Sequence, residues 1–264
     1  MRSAVFLSIR NKATRLPGKS LLPLRGMTTT EHLIERIKLA SEPDVVVMTT
    51  STHRDDAVLA EMAAKNGIRC YRGSEEDKLC RYLDAADAFG IEVFAVVDGD
   101  DILCEPACID KVLGALQEGE VDYVICADMP VGATPFGVRT EALRHVCRIK
   151  AEGDTEVWGG YFTETGIFRS ATIEVDPVLR RPDLRMTLDY DEDYAFFRAV
   201  FDHFYDENPA FRLEDVIRFL DDHPEVVALN RDVQVLYEEG IRVATPARLK
   251  RKTADTDSAQ AGGS

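Results

Sequence analysis

Short apolar runs alternate along the first half of the chain with stretches whose apolar positions recur at three- and four-residue spacing. The segments SAVFLS (3–8), DVVVMTT (44–50), IRCYR (68–72), EVFAVVD (92–98) and DYVICA (122–127) predict strands. The segments TTEHLIERIKLA (29–40), RDDAVLAEMAAKNG (54–67), EDKLCRYLDAADAFG (76–90) and PACIDKVLGALQEG (106–119) predict helices. Gly67 and Gly90 close two of these, and Pro106 opens another. Strands that are apolar throughout, rather than alternating, belong to parallel sheets covered by helices on both faces. The expected fold class is therefore α/β, a Rossmann-like, doubly wound and mostly parallel sheet. Ligands of such sheets bind beyond the carboxyl ends of the strands.

The alternation stops near residue 128. VGATPFGVRTEALRHV carries turn residues and then a short helix. EVWGGYFTETGIF (156–168), aromatic and threonine-rich with a double glycine, predicts a strand or a hairpin. DEDYAFFRAVFDHFY (191–205) and RLEDVIRFLDDHPEV (212–226) predict two further helices. The expected organisation is a single domain over 1–246, with an insertion at about 129–175 for acceptor binding or dimerisation. A disordered tail is expected over 247–264, where cations mix with Ala, Asp, Gly and Ser.

Composition narrows the function classes. With 264 residues, 45% of them hydrophobic and 30% charged, the chain suits a globular protein with a sizeable core. A net charge of −15 argues against sequence-independent nucleic-acid binding and against docking on an anionic membrane. VFLSI is too short for a leader, and no stretch approaches the roughly 20 apolar residues of a membrane span. Cys70, Cys80, Cys104, Cys108, Cys126 and Cys147 form no CxxC pair, so reduced thiols in a cytoplasmic protein are expected.

Against this acidic background, RNKATRLPGKS (10–20) gathers Arg10, Arg15 and Lys19 in a loop stiffened by Pro17 and Gly18. If 3–8 is the first strand, this loop lies over the ligand crevice, where guanidinium forks and an ammonium suit phosphate oxygens. The plain alternative is a solvated loop. The spacing matches neither GxxxxGK[ST] nor GxGxxG. Two acidic clusters follow. VVDGDD sets Asp98, Asp100 and Asp101 just past an apolar strand, a crowding that calls for a cation; Mg²⁺ is the natural partner, and an Asp/Gly turn is the alternative. LDYDED holds Asp189, Asp191, Glu192 and Asp193, of which the last three suit the first turn of a helix. His32, His53, His145, His203 and His223 join no nucleophilic set and read as surface or capping residues.

TRLPGKSLLPL resembles the signature loop of the cytidylyltransferases that activate acidic sugars. These include the CMP-ketodeoxyoctonate synthetases, the acylneuraminate cytidylyltransferases and, more closely, the spore-coat-polysaccharide type. Arg10, Arg15, Leu16, Pro17 and Lys19 fall on the fixed positions of A-R-x-x-S-x-R-L-P-x-K. Ala13 stands where the family has a serine and Ile9 where it has an alanine, so the resemblance implies a phosphate loop that lacks that hydroxyl and keeps its cations. VVVMTTSTHRDDAVLAEMAAKNGIRCYRGSEEDKLCRYLDAA resembles the family's second stretch. By this resemblance Thr49, Thr50, Gly73, Ser74 and Arg81 become candidate contacts to base and ribose; Ser74 serves equally well as a helix cap. Asp100 and Asp189 match the metal-binding positions, while Asp98, Ile102 and Asp191 depart from the pattern and Asp98 becomes an additional metal candidate.

The resemblance implies a nucleotide-diphospho-sugar-transferase type of fold, CTP and Mg²⁺ as partners, and a homodimer. Arg15, Lys19 and Asp100 carry the chemistry in this expectation. Arg139, Trp158, Tyr161 and Thr163 are the candidate acceptor contacts, with a dimer interface as the competing use of the aromatic stretch. The expected acceptor is a sugar acid of the 3-deoxy-octulosonate or nonulosonate kind; a phosphonate or a sugar phosphate stays open. Two other readings also stay open: a nucleotide-sugar-dependent glycosyltransferase using DGD (98–100) as its DxD, and a scaffold without turnover.

Overall fold

The computed structural model describes residues 1–235 and 249, apart from 14, 152, 154 and 156. The chain runs from β1 (Ser3–Ser8) through a 3-10 turn (Lys19–Leu21) to a two-residue ribbon, β2 (Pro23–Leu24) and β3 (Met27–Thr28), and then α1 (Thr29–Ile37). Next come β4 (Val45–Ser51), α2 (Ala57–Lys65), β5 (Arg69–Gly73), α3 (Lys78–Phe89), β6 (Val93–Asp98), α4 (Pro106–Gln117) and β7 (Tyr123–Cys126). The second half holds β8 (Phe136–Arg139), α5 (Thr140–Ile149), α6 (Gly160–Thr163), β9 (Ser170–Ile173), α7 (Asp191–Phe204), α8 (Leu213–Asp222) and α9 (Pro224–Val227). Among the expected tail residues, only Leu249 lies within the described part, where it bridges to Lys150.

Strands and helices from the first half fall within a few residues of the expectation because both of their signals are strong. In β1, Val5 and Leu7 enter one core while Ala4 and Phe6 enter the other; in β6, Val93, Ala95 and Val97 oppose Phe94 and Val96 in the same way. A strand buried on both faces needs apolar residues at every position, which is the pattern the sequence carries. Helices α1, α2, α4, α7 and α8 cover one face, and α3, α5 and α6 the other. α1 opens with a capping box, in which the Thr28 hydroxyl accepts from the Glu31 N–H and Glu31 reaches back to Thr28.

The seven-stranded sheet has the order β5-β4-β1-β6-β8-β7-β9. β1 pairs in parallel with both β4 and β6, so the strand order reverses between β1 and β6. Loops leaving these two strands diverge to open a crevice there. β8 runs antiparallel to β6 and to β7, and β9 is parallel to β7. Neither β8 nor β9 stands out in the sequence: FGVR and SATI are four residues each, and the first follows a proline.

Residues 156–168 correct the expected strand or hairpin. The segment contains the short helix α6, with Trp158, Tyr161 and Phe162 at i, i+3 and i+4 turned into one aromatic cluster. Phe162 stacks on Tyr123 at 5.1 Å, and Trp158 meets Tyr123, Phe136 and Phe162 edge-on. The spacing of the aromatics is helical, and a double glycine is compatible with a tight turn as well as with a hairpin.

One loop over the sheet edge depends on a glycine. Gly132 has φ +85°, and a Cβ there would lie 2.5 Å from the Met186 carbonyl oxygen. This close approach lets residue 131 exchange backbone hydrogen bonds with 184 and 186, at 3.0 and 2.6 Å. Gly132→Ala is expected to cost about 2–3 kcal/mol, a fall in Tm of roughly 5–10 °C. Differential scanning calorimetry of the variant checks this, and an unchanged Tm counts against the close approach.

Candidate active site

The loop leaving β1 is held from several sides. The Asn11 N–H donates to buried Asp56 at 2.7 Å, and the Ser20 hydroxyl donates to Asn11 Oδ1 at 2.8 Å. Thr29 and Thr30, at the start of α1, donate to the carbonyls of Lys19 and Ser20 at 2.6 and 2.7 Å. Gly18 takes a left-handed conformation, φ +72°, and buried Leu16 anchors the loop in the core. The cations are thus carried on a braced backbone rather than on a free strand of solvent-exposed chain.

β6 ends beside this loop because its Asp98 is paired with Ser8. The Gly99 N–H donates to the Ser8 carbonyl at 2.8 Å, and a Cβ at 99 would meet the Ile9 side chain at 2.5 Å. A third segment closes in when the Leu188 N–H donates to the Asp100 carbonyl at 3.0 Å. Three separated stretches therefore meet at one rim: the first loop, the turn after β6, and residues 187–189.

Their charges interlock. Lys19 Nζ lies 2.7 Å from Asp100 Oδ2 and 3.0 Å from Asp189 Oδ1, and Arg15 Nη2 lies 2.7 Å from that same Asp189 oxygen. Burial alone would push the Lys19 ammonium down, but Asp100 and Asp189 outweigh it and hold it well above its ordinary range. Burial alone would push the Asp189 carboxyl up; the charges of Lys19 and Arg15 outweigh that and hold it below the ordinary range.

The three acids after β6 do not act together. Asp98 pairs with Lys78 at 2.7 Å and Asp100 with Lys19. Asp101 is buried, which, with the charges of Asp100 and Asp98, pushes its carboxyl well above the ordinary range and favours the neutral form. DGD is thus divided between two lysines. No group of three His, Cys, Asp or Glu side chains suited to a metal ion occurs among the described residues, and Asp98, the additional candidate, is paired with Lys78. Asp100 and Asp189 converge on one cation, the Lys19 ammonium; a pair of carboxylates completed by phosphate oxygens and water is the kind of donor set that suits a divalent cation.

Beneath Asp189 lies a network that the sequence reading missed. Buried Arg185 forks onto Asp193 at 2.8 and 2.9 Å and reaches Asp189 Oδ2 at 3.5 Å. Asp193 Oδ2 also accepts the N–H groups of Asp189 and Tyr190, at 2.9 and 3.0 Å, and Asn230 donates to Asp193 Oδ1 at 3.0 Å. Asp193 does stand in the first turn of α7, as expected, but it is fully buried. Its signal was the fixed spacing of Arg185, Asp189 and Asp193 within RMTLDYDED; Asn230 carried none. Lys78, a cation at the first position of α3, was the other readable anomaly.

The charged groups of the rim line a cleft of about 900 Å³. Arg10, Arg15, Lys19, Arg81, Asp98, Asp100, Trp158 and Asp189 face it, as does Ala13. Arg10 and Arg81 donate to the carbonyls of Glu75 and Ser74, both at 2.7 Å, and so tie the turn after β5 to the cleft. Thr49, Thr50, Gly73 and Ser74 do not line it: both threonines are buried within β4, and the Ser74 hydroxyl accepts from the Asp77 N–H at 3.0 Å. Tyr161 is in the aromatic core and Thr163 donates to the carbonyl of Gly159 at 3.3 Å; Gly159 lines the cleft, and Tyr161 and Thr163 do not.

Arg139 is at the wrong edge for an acceptor contact. It pairs with Val93, the first residue of β6, and its guanidinium donates to the carbonyls of Leu116 and Val121. Because β8 is antiparallel, its last residue lies at the amino ends of the neighbouring parallel strands.

A family model described as cytidylyltransferase matches residues 4–238. The spore coat polysaccharide biosynthesis protein SpsF of Bacillus subtilis is 27% identical over 227 residues, covering 83% of this chain and 94% of that protein. A 3-deoxy-manno-octulosonate cytidylyltransferase of Anaeromyxobacter dehalogenans is 31% identical over 153 residues, 57% of this chain and 60% of its own length. The structure of a cytidylyltransferase from Leptospira borgpetersenii superposes with a TM-score of 0.78 at 24% identity, covering 86% of this chain and 97% of that one. That last likeness is one of fold.

The depressed Asp189 carboxyl fixes a pH dependence. Its contribution to stability is complete above the ordinary carboxylate pKa of about 3.9 and is lost as pH falls through the lower folded value. Urea unfolding followed from pH 5 downward should show stability falling more steeply in the wild type than in Asp189→Asn. Equal slopes would contradict the pairing.

Proposed function

The chain belongs to the cytidylyltransferase family, and from that premise we propose that it transfers the cytidylyl group of CTP to a small acidic acceptor with release of pyrophosphate. The acceptor in this reading is a sugar acid of the 3-deoxy-octulosonate or nonulosonate type. The observation that carries it is the meeting of Arg15 and Lys19 with Asp100 and Asp189 at the carboxyl edge of β1 and β6.

The oxygen of an acceptor hydroxyl attacks the α-phosphorus and gives up its proton to solvent, the bond from that phosphorus to the oxygen bridging to the β-phosphate breaks, and pyrophosphate departs with that oxygen. This displacement needs alignment and charge neutralisation rather than a covalent enzyme intermediate. Arg15 and Lys19 hold the phosphates and stabilise the departing charge. Arg10 and Arg81, which brace the turn after β5, hold the nucleoside end. Asp100 and Asp189 are the residues that would hold Mg²⁺, which supplies charge neutralisation and polarisation at phosphate oxygens when bound. The braced loop orders the cations before the nucleotide arrives, so less ordering has to occur on binding. Trp158 belongs to the wall on the acceptor side.

Two further features suit this reading. The six cysteines are free thiols, as in a reducing compartment such as the cytoplasm. Val157 and Ile167 are exposed apolar side chains flanking the aromatic segment, in keeping with its use in a homodimer.

Pyrophosphate release measured with CTP, ATP, GTP or UTP, each against a panel of sugar acids, tests the reading. CTP alone is expected to serve. Lys19→Ala and Asp100→Asn are each expected to lower kcat by about 10²–10³-fold with the fold intact by circular dichroism. Indifference to the base, or a normal rate in either variant, would sink it.

A further inference from the structure

Helix α3 is capped partly from a distant segment. Asp77 Oδ1 accepts the Cys80 N–H at 3.0 Å, as an N-cap does. The Leu79 N–H is another donor that a helix start leaves open. It donates to the Thr155 hydroxyl at 3.1 Å, and that hydroxyl donates to Asp77 Oδ1 at 3.2 Å. The Lys150 ammonium bonds the other Asp77 oxygen. Burial would push the Asp77 carboxyl up; the Lys150 ammonium and the Cys80 N–H outweigh it and hold it below the ordinary range. An ionised Asp77 only accepts, so the Thr155 hydrogen points to the carboxylate and a lone pair is left for the Leu79 N–H. Thr155 is fully buried, where an unmet donor or acceptor is costly.

This clasp joins the two sides of the cleft. Lys78 and Arg81 of α3 line one side, and Val157, Trp158 and Gly159 line the other. Thr155 lies three positions before Trp158, in the connection from α5 to α6. That connection is outside the seven-stranded sheet, so side-chain contacts decide where it lies. Trp158 also meets Tyr82 of α3 edge-on at 6.1 Å. Apolar contact of this kind is non-directional and tolerates sliding, whereas a buried hydrogen bond fixes distance and angle.

We infer that Thr155 is a positioning residue for the acceptor wall: its hydroxyl, shared between the Leu79 N–H and Asp77, sets Trp158 at a fixed distance from α3. What the wall holds rests on the cytidylyl-transfer reading; the inference adds the residue that places it. Valine has nearly the shape of threonine but neither donor nor acceptor, and serine keeps both. The hydroxyl can therefore be tested apart from the bulk.

Trp158 is the chain's one tryptophan, so its fluorescence reports on the wall directly. Thr155→Val should raise the acrylamide quenching constant by about two-fold or more, and Thr155→Ser should stay near the wild type. Pyrophosphate release from CTP with 3-deoxy-D-manno-octulosonate or N-acetylneuraminate supplies the kinetic readout. Thr155→Val should raise the KM of the sugar acid by about 5–10-fold. The KM for CTP should stay within about two-fold, because Asp77 still caps α3. Thr155→Ser should restore most of the loss.

A role in stability alone would lower Tm and leave quenching and the ratio of the two KM values unmoved. That result overturns the inference, as does a Thr155→Ser that behaves like Thr155→Val. If Thr155→Val does not fold, the wild type decides. In urea below the unfolding transition, hydrogen exchange of the Leu79 amide and quenching of Trp158 should rise together. Quenching that rises while this amide stays protected overturns the clasp. Failure of the wider reading looks different: a wild type that releases no pyrophosphate with either sugar acid refutes the acceptor reading, and the clasp is then decided by the quenching alone.

Discussion

Everything at the rim turns on one ammonium between two carboxylates. Lys19 Nζ touches Asp100 and Asp189, which are 89 positions apart in the chain, and it does so on a loop that starts eleven positions earlier at Ser8. Two acids this close repel each other unless a cation joins them. The sheet makes the meeting possible: β1 and β6 are neighbours and parallel, so the loop leaving one and the turn leaving the other emerge at the same edge. Gly99 permits the final approach, since any larger residue would strike Ile9.

Holding charge at this depth requires support, and the support is local. Asp189 does not stand alone: Arg185, Asp193 and Asn230 form a buried hydrogen-bonded network that receives its backbone N–H and one of its oxygens. Removing one partner from such a pair typically costs about 3–5 kcal/mol, because the other is left charged and unsolvated. The turn after β6 meets the same problem differently. It divides its acids between two lysines and favours the neutral form of the third.

The family shares a scaffold, and differences in what it acts on reside in few side chains. This chain is a cytidylyltransferase by its match over nearly its whole length. It keeps the loop cations and the aspartates that face them, while Ala13 and Asp98 depart from the pattern that its first loop and acidic turn otherwise resemble. Both departures face the cleft. A missing hydroxyl at 13 removes one donor from a loop already rich in them.

The sequence by itself determined the alternation of strands and helices through residue 127 and the class of fold. Burial on both faces and concentrated charge each leave a mark over a few neighbouring positions, so the loop cations and the two acidic clusters were legible too; within those clusters it was the resemblance to the cytidylyltransferases that picked out Asp100 and Asp189. The sequence did not decide the direction of β8, the helical turn at 160–163, or the edge on which Arg139 falls, since four-residue elements take their form from what packs beside them. Nor did it reveal that Asp98 belongs to Lys78, or that Asp193 is buried under Asp189. Those partnerships join residues on different strands, helices and loops. They exist only once the sheet has fixed which ends lie side by side.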